Sequence, residues 1–235
     1  MPDNAQRADL IHGRTFVVIA AYNEAAVIAG VVQGLRPSYE HVVVVDDGST
    51  DGTFDAVRPV ATYTLRHAVN RGQGAALQTG IRFALEQGAA YIVTFDADGQ
   101  HRVEDIDRLL APLAAGEAEI TLGSRFLGST EGMPTSRRWL LRLSVLFTRV
   151  VSGVRISDAH NGLRAFSRKA AERLDITLDR MAHASEIIEF VGRCGLPFTE
   201  VPVCIRYTEY SLHKGQSARG ALRIVIHFLL KKVLG

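Results

Sequence analysis

The sequence predicts an α/β fold, a doubly wound and mostly parallel sheet followed by a helical, basic C-terminal lobe. Three features carry that expectation. Short Val- and Ile-rich runs alternate with stretches whose apolar residues fall at helical spacing, the pattern of βαβ units. The first runs are apolar throughout, as strands covered by helices on both faces must be. Polar clusters rich in Asp and Gly follow the runs, where such a sheet opens its ligand crevice.

TFVVIA over 15–20 is the first strand. The stretch NEAAVIAGVVQGL follows, with Val27, Ile28, Val31, Val32 and Leu35 on one helical face and a stop at Gly34 to Pro37. HVVVVDDGSTDGT repeats the plan: a valine strand, Asp46 and Asp47 at its end, then Gly, Ser and Thr turning the chain into a short helix. ATYTLRH is a third strand, GQGAALQTGIRFALEQG a helix, YIVTFDADG a fourth strand, VEDIDRLLAPLAAG a helix and AEITLGS a fifth strand. The first twelve or so residues carry no pattern and read as a loose tail. From about 135 the alternation gives way to helical segments punctuated by Arg and Lys, with no linker, so one domain over 1–235 is expected.

A length of 235 residues with 47% hydrophobic and 22% charged suits a folded globular chain, and a net charge of +2 is too small to argue for nucleic acid. Cys194 and Cys204 lack the CxxC spacing of a zinc site and follow no apolar export signal, so both are expected as packing thiols in a reduced, cytosolic chain. Arg149 and Lys231 interrupt the longest apolar runs well short of the roughly 20 residues that span a bilayer.

The chemistry concentrates at TFDADGQH, residues 94–101. Asp96 and Asp98, one residue apart at a strand end, can aim oxygens at one hard divalent cation, and the Gln100 carbonyl adds a neutral oxygen; Mg²⁺ or Mn²⁺ prefers such ligands and keeps positions open for phosphates. The bland alternative is a helix cap beside a solvated turn Asp. An EF-hand is excluded, because His101 and Asp107 stand where its Gly and Glu belong. Neither GxGxxG nor the GK[ST] of a phosphate loop is present, so a dinucleotide or P-loop site is disfavoured.

AYNE at 21–24, VDDGSTDGT, NRGQGAA at 70–76, DADGQH and LGSRF together resemble, in order and spacing, the inverting family-two glycosyltransferases of the GT-A fold. Within them DAHNGLRAFSRKA at 158–170 and EVPVCIRY followed by KGQS are similar to the dolichyl- and undecaprenyl-phosphate sugar transferases. The resemblance implies a nucleotide-diphosphate sugar donor, Mg²⁺ or Mn²⁺, and a polyprenyl phosphate acceptor. It divides the domain into a nucleotide-sugar half, about 13–126, and an acceptor- and membrane-facing half, about 127–235.

Carried onto this chain, the resemblance sets Ala20, Tyr22, Glu24, Val45 and Asp47 around the nucleoside, while Asp46 supports the turn. Asp96, Ala97 and Asp98 match the metal and diphosphate loop, with Gln100 as an extra ligand and Asp98 in the catalytic role. Arg125 of GSRF matches a phosphate-gripping arginine, Arg71 is either a further phosphate contact or a solvated side chain, and Arg137 and Arg138 are candidates for holding the acceptor. Arg206 and Lys214 are placed as a clamp on the other side, in a stretch, HKGQS, whose order departs from the family's. Glu186 stands where relatives that use a hydroxyl acceptor carry a general base; a lipid phosphate, already anionic, needs none. Asp158 and Arg164 are expected to pair internally.

Two amphipathic stretches bear on the membrane. Arg219, Arg223, His227 and Lys231 recur every four residues, and Arg138, Arg142 and Arg149 share one face of RRWLLRLSVLFTRVV with Trp139 beside them. Either helix can lie in a lipid interface, at the inner face of the cell membrane, or pack on the sheet or a second copy of the chain. A separate membrane protein is a further candidate partner, since larger relatives carry spans that this sequence lacks. A saccharide-hydroxyl acceptor and a non-catalytic nucleotide-sugar-binding role remain as alternatives.

Overall fold

A computed structural model gives the fold and describes residues 9–177, 183–208 and 210. Among them seven strands form one sheet in the order β3-β2-β1-β4-β6-β5-β7: β1 (Thr15–Ala21), β2 (His41–Asp46), β3 (Tyr63–Arg66), β4 (Tyr91–Thr94), β5 (Ile120–Glu131), β6 (Arg164–Ser167) and β7 (Phe198–Arg206). The helices are α1 (Ile28–Leu35), α2 (Thr53–Val57), α3 (Gln73–Glu86), α4 (Glu104–Ala114), α5 (Thr135–Ser152), α6 (Arg168–Ala171) and α7 (His183–Arg193).

The first half follows the sequence. β1 pairs in parallel with β2 and β4, and β2 with β3. Successive residues serve opposite faces: Phe16, Val18, Val43 and Val45 pack with α3 on one side, and Val17, Ile19, Val42 and Val44 pack with α1 and α4 on the other. That two-sided burial is why these runs contain no polar alternation. Gly80 lets α3 lie close, since a Cβ there would come within 2.4 Å of Val18 Cγ1.

The second half departs from it. The region expected to be helical contributes β6 and β7 to the same sheet, and β6 runs antiparallel between β4 and β5. Four residues, RAFS, are too few to show a period, and Pro202 argues against a strand unless the strand lies at an edge, as β7 does. The register Thr94↔Arg164 is what matters for function, because it delivers the loop before β6 to the carboxyl end of β4. There Thr94 Oγ1 donates to the Gly162 carbonyl at 2.6 Å.

Both thiols are free, Cys204 buried and Cys194 half-buried, as packing residues would be. No described helix is long and apolar enough to cross a membrane. Lys214 and the basic stripe Arg219, Arg223, His227 and Lys231 lie outside the described residues.

Candidate active site

The crevice at the carboxyl ends of β1, β2 and β4 is built from loops that hold one another. After β1, Asn23 adopts a left-handed backbone (φ 54°), which Asn tolerates better than most residues. Its N–H donates to Ser49 Oγ (2.9 Å) and its Oδ1 accepts from the Thr50 N–H (3.0 Å), lacing AYNE to DDGST. The Glu24 N–H donates to Thr53 Oγ1 (2.8 Å), and Asp51 accepts from the N–H groups of Ala25 and Thr53. Gly48 has φ 71°, and a Cβ there would lie 2.7 Å from the Val69 backbone, so only glycine allows the second loop to meet the third.

Asp46 supports its turn as expected: Oδ1 accepts from the Ser49 N–H at 3.0 Å. Its Oδ2 is ion-paired with Arg66 Nε at 3.1 Å yet buried without a hydrogen-bond partner, so the contact is electrostatic rather than directional. Asp47 is also committed. Its oxygens accept from the backbone N–H groups of Arg71 (2.9 Å) and Gly72 (2.6 Å), and His67 Nδ1 stands 2.7 Å away. Asp47 thus fastens the β2 loop to the start of α3, while the Arg71 side chain is exposed.

Asp96 follows β4 directly. His101 Nε2 is 2.8 Å from its Oδ2, Gln73 Nε2 reaches its Oδ1 at a looser 3.3 Å, and the carboxyl rests on Gly162, where a Cβ would sit 2.2 Å from either oxygen. Burial pushes the Asp96 carboxyl up. The hydrogen bond from His101 and the fields of His101, His183 and Arg164 outweigh burial and hold it below the ordinary carboxylate range. For Asp98, burial and then the charge of Asp96 prevail, and its carboxyl is pushed up to about 6. Asp98 Oδ1 accepts from the Gln100 N–H at 3.1 Å.

Among the described residues no group of three His, Cys, Asp or Glu side chains is arranged to hold a metal. Two adjacent carboxylates with Gln100 beside them suit a hard cation that takes its remaining ligands from substrate phosphates and water. The chemistry of the donor set therefore fits Mg²⁺ or Mn²⁺ at Asp96 and Asp98, and does not fit an all-protein cage.

Other expected residues fall in varied places. Tyr22 is exposed and Ala20 half-buried at the crevice end of β1, and Ala97 is buried. Val45 has no accessible surface, and its side chain packs in the core beside α3, as strand alternation directs. Arg125 is turned inward too: Nε meets Asp158 at 2.6 Å, Nη1 donates to Tyr207 Oη at 2.8 Å and Nη2 to the His160 carbonyl at 3.0 Å. Asp158 therefore pairs with Arg125 and not with Arg164, whose Nε donates to the Asn161 carbonyl. Burial, only partly offset by Asp96 and Asp158, lowers Arg164 to about 10.

Arg206 Nε binds Glu131 at 3.1 Å on the surface, while its N–H donates to the Gln100 carbonyl. Both Glu186 oxygens accept from the Thr177 N–H (3.0 and 3.1 Å), and Thr177 Oγ1 adds a third contact at 2.6 Å. The sequence reading did not single out His67, His101 or Tyr210. Tyr210 Oη donates to Glu24 Oε2 at 2.7 Å, bringing the chain after β7 onto the crevice.

On α5, Trp139, Leu143, Leu146 and Val150 form an apolar row 59–76% exposed, while Arg142 stacks over Phe126 at 5.9 Å and Arg137 over Tyr207 at 5.1 Å.

Fold and crevice define a GT-A glycosyltransferase. The chain belongs to the family described as Glycosyl transferase family 2, whose model matches residues 16–175. It is 32% identical over 241 residues to the UDP-N-acetylglucosamine–dolichyl-phosphate N-acetylglucosaminyltransferase of Methanococcus voltae, covering 93% of this chain and 96% of that one. It is also 32% identical over 226 residues to the polyprenol monophosphomannose synthase of Mycolicibacterium smegmatis, covering 89% and 84%. Crystal structures of glucosyl-3-phosphoglycerate synthase from Mycobacterium tuberculosis, one with Mn²⁺ and UDP-glucose and one with Mg²⁺ and UDP, superpose with TM-scores of 0.72 and 0.70 at 22% and 21% identity. They cover 96% of this chain in both cases and 80% and 81% of theirs, and at that identity the likeness is one of fold.

The raised Asp98 carboxyl yields a stability prediction. A carboxyl pushed up in the fold destabilises it wherever the group is ionised, fully above about pH 6, and the penalty declines as pH falls toward the ordinary carboxylate range. Metal-free Asp98→Asn should therefore melt above the parent protein at pH 7.5, by a few degrees, with the gap closing as the pH is lowered through 6. Melting below the parent at pH 7.5 would show that the charge supports the fold.

Proposed function

We propose that the protein transfers a hexose, with inversion, from a nucleotide-diphosphate sugar to polyprenyl phosphate, using Mg²⁺ or Mn²⁺ held at Asp96 and Asp98. The observation that carries this is the Asp96–Gln100 loop: two half-buried carboxylates, each with one oxygen tied inside the protein, at the mouth of a crevice whose neighbouring loops are already locked together. The acceptor class is supported by the dolichyl-phosphate and polyprenol-phosphate sugar transferases to which the chain is similar over 96% and 84% of their length.

The acceptor phosphate oxygen forms the new bond to C1 of the hexose as the bond from C1 to the diphosphate breaks, and the nucleoside diphosphate leaves with the electron pair. Bound cation supplies neutralisation of the charge developing on the departing diphosphate. Asp96 and Asp98 would hold that cation, with Gln100 as a further oxygen donor. Tyr22, Glu24 and the laced loops about Asp47 position the nucleoside, with Asp47 acting through the backbone of 71–72 that it fixes. Arg71, exposed beside this loop, and Arg138, exposed on α5, are the candidates to grip phosphate. A phosphate nucleophile needs no base, which agrees with Glu186 being spent on Thr177.

One domain with a donor half about 13–126 and an acceptor half about 127–235 accommodates this reading. The acceptor's lipid tail requires a membrane surface, taken here as the cytosolic face, and the Trp139–Val150 row of α5, flanked by Arg138, Arg142 and Arg149 and free of acidic residues, is the described surface best suited to anionic headgroups.

Two measurements test this. Radiolabelled sugar should pass from a nucleotide sugar into an organic-soluble polyprenyl product, with Glu186→Gln nearly silent; transfer only to a saccharide, abolished by Glu186→Gln, would replace the lipid acceptor with a hydroxyl. Binding to phosphatidylglycerol vesicles should fall on the order of tenfold in Leu143→Asp/Leu146→Asp, with the soluble-donor affinity retained; unchanged vesicle binding would remove α5 from the membrane surface.

A further inference from the structure

We infer that His101 is a positioning residue that makes Asp96 a single-oxygen ligand; this rests on the metal reading above. Its ring is 3% exposed and is fixed from three directions. The backbone of His101 bridges to Ile205 of β7, the ring packs edge-on against Phe95 with centroids 5.3 Å apart, and Nε2 meets Asp96 Oδ2 at 2.8 Å. The other nitrogen, Nδ1, is buried with no hydrogen-bond partner among the described residues. The contact to Asp96 is thus the one hydrogen bond the imidazole makes, and since a carboxylate accepts, Nε2 carries the donated proton.

The consequence is geometric. With Oδ2 claimed, Oδ1 is the Asp96 oxygen left for a ligand, since its contact to Gln73 is long at 3.3 Å. Asp98 is tied the same way, Oδ1 by the Gln100 N–H, leaving Oδ2. Two carboxylates that could each chelate with both oxygens are limited to one apiece, which would leave ligand positions on a bound cation open for diphosphate and water. Groups that orient metal ligands through a hydrogen bond on the far atom commonly set affinity by 10–100-fold. Gly162 lies directly beneath the Asp96 carboxyl and makes room for it, and the 2.8 Å contact of His101, against 3.3 Å from Gln73, is what distinguishes its two oxygens.

His101→Phe keeps an apolar ring against Phe95 and deletes the donor, whereas His101→Gln keeps an N–H donor at similar reach. Mn²⁺ binding, read by electron paramagnetic resonance in the presence of UDP or GDP, should weaken about 10–100-fold in His101→Phe and recover to within about threefold in His101→Gln. Donor KM should rise in the Phe variant more than kcat falls at saturating Mn²⁺. If the parent protein binds no Mn²⁺, the metal reading and this inference fall together. If the parent binds and His101→Phe binds as tightly, or if His101→Gln is as weak as His101→Phe, the inference alone is overturned. Should His101→Phe fail to fold, His101→Met against His101→Gln poses the same contrast.

Discussion

Asp96 is a carboxylate seated on backbone, and the surrounding structure is arranged to keep it charged there. Taking a carboxylate out of water costs several kcal/mol unless partners compensate. Here His101 supplies the hydrogen bond, His183 and Arg164 supply positive field, and Gly162 supplies the space. These four come from three separate parts of the chain, and the antiparallel insertion of β6 between β4 and β5 brings two of them into place. The result is that one aspartate stays ionised while its neighbour, Asp98, carries the electrostatic strain of the pair.

Preorganisation explains the rest of the crevice. Loops after β1, β2 and β3 would each be free to wander, but Asn23, Ser49, Asp51, Thr53 and Asp47 cross-link them by side chain to backbone contacts. Most of these bonds satisfy loop N–H groups that have no partner in the strand ladders. A donor entering such a site meets a surface that is already shaped, so less of its binding free energy goes into ordering loops. Asp47 and Arg125 take part in the same bracing, since their polar atoms are engaged inside the protein.

How much of this could be read in the sequence follows from how local each feature is. β1 to β5, the helices between them and the DADGQ loop were legible because two-sided burial and turn chemistry leave short-range patterns. β6 was not, being four residues long, and β7 was masked by Pro202 until its edge position was known. That the Val45 side chain packs inward could not be read from its proximity to Asp47, which says nothing about which face a strand residue occupies. Arg125 with Asp158, His101 with Asp96 and Tyr210 with Glu24 are pairings that only the folded chain reveals, although a histidine five residues after Asp96 was a signal that could have been weighed. On α5 the exposed arginines are joined by an equally exposed apolar row, Trp139, Leu143, Leu146 and Val150, whose alignment the folded helix reveals.

The central claim is that the crevice binds nucleotide-diphosphate sugar through a dication at Asp96 and Asp98. Thermal unfolding with a panel of nucleotide sugars, in Mn²⁺ and in EDTA, measures it directly, because a ligand bound only by the folded state raises the melting temperature. At least one donor should stabilise the protein in Mn²⁺, with the shift abolished by EDTA and by Asp96→Asn/Asp98→Asn. An equal shift in EDTA, or in the double variant, would contradict the claim.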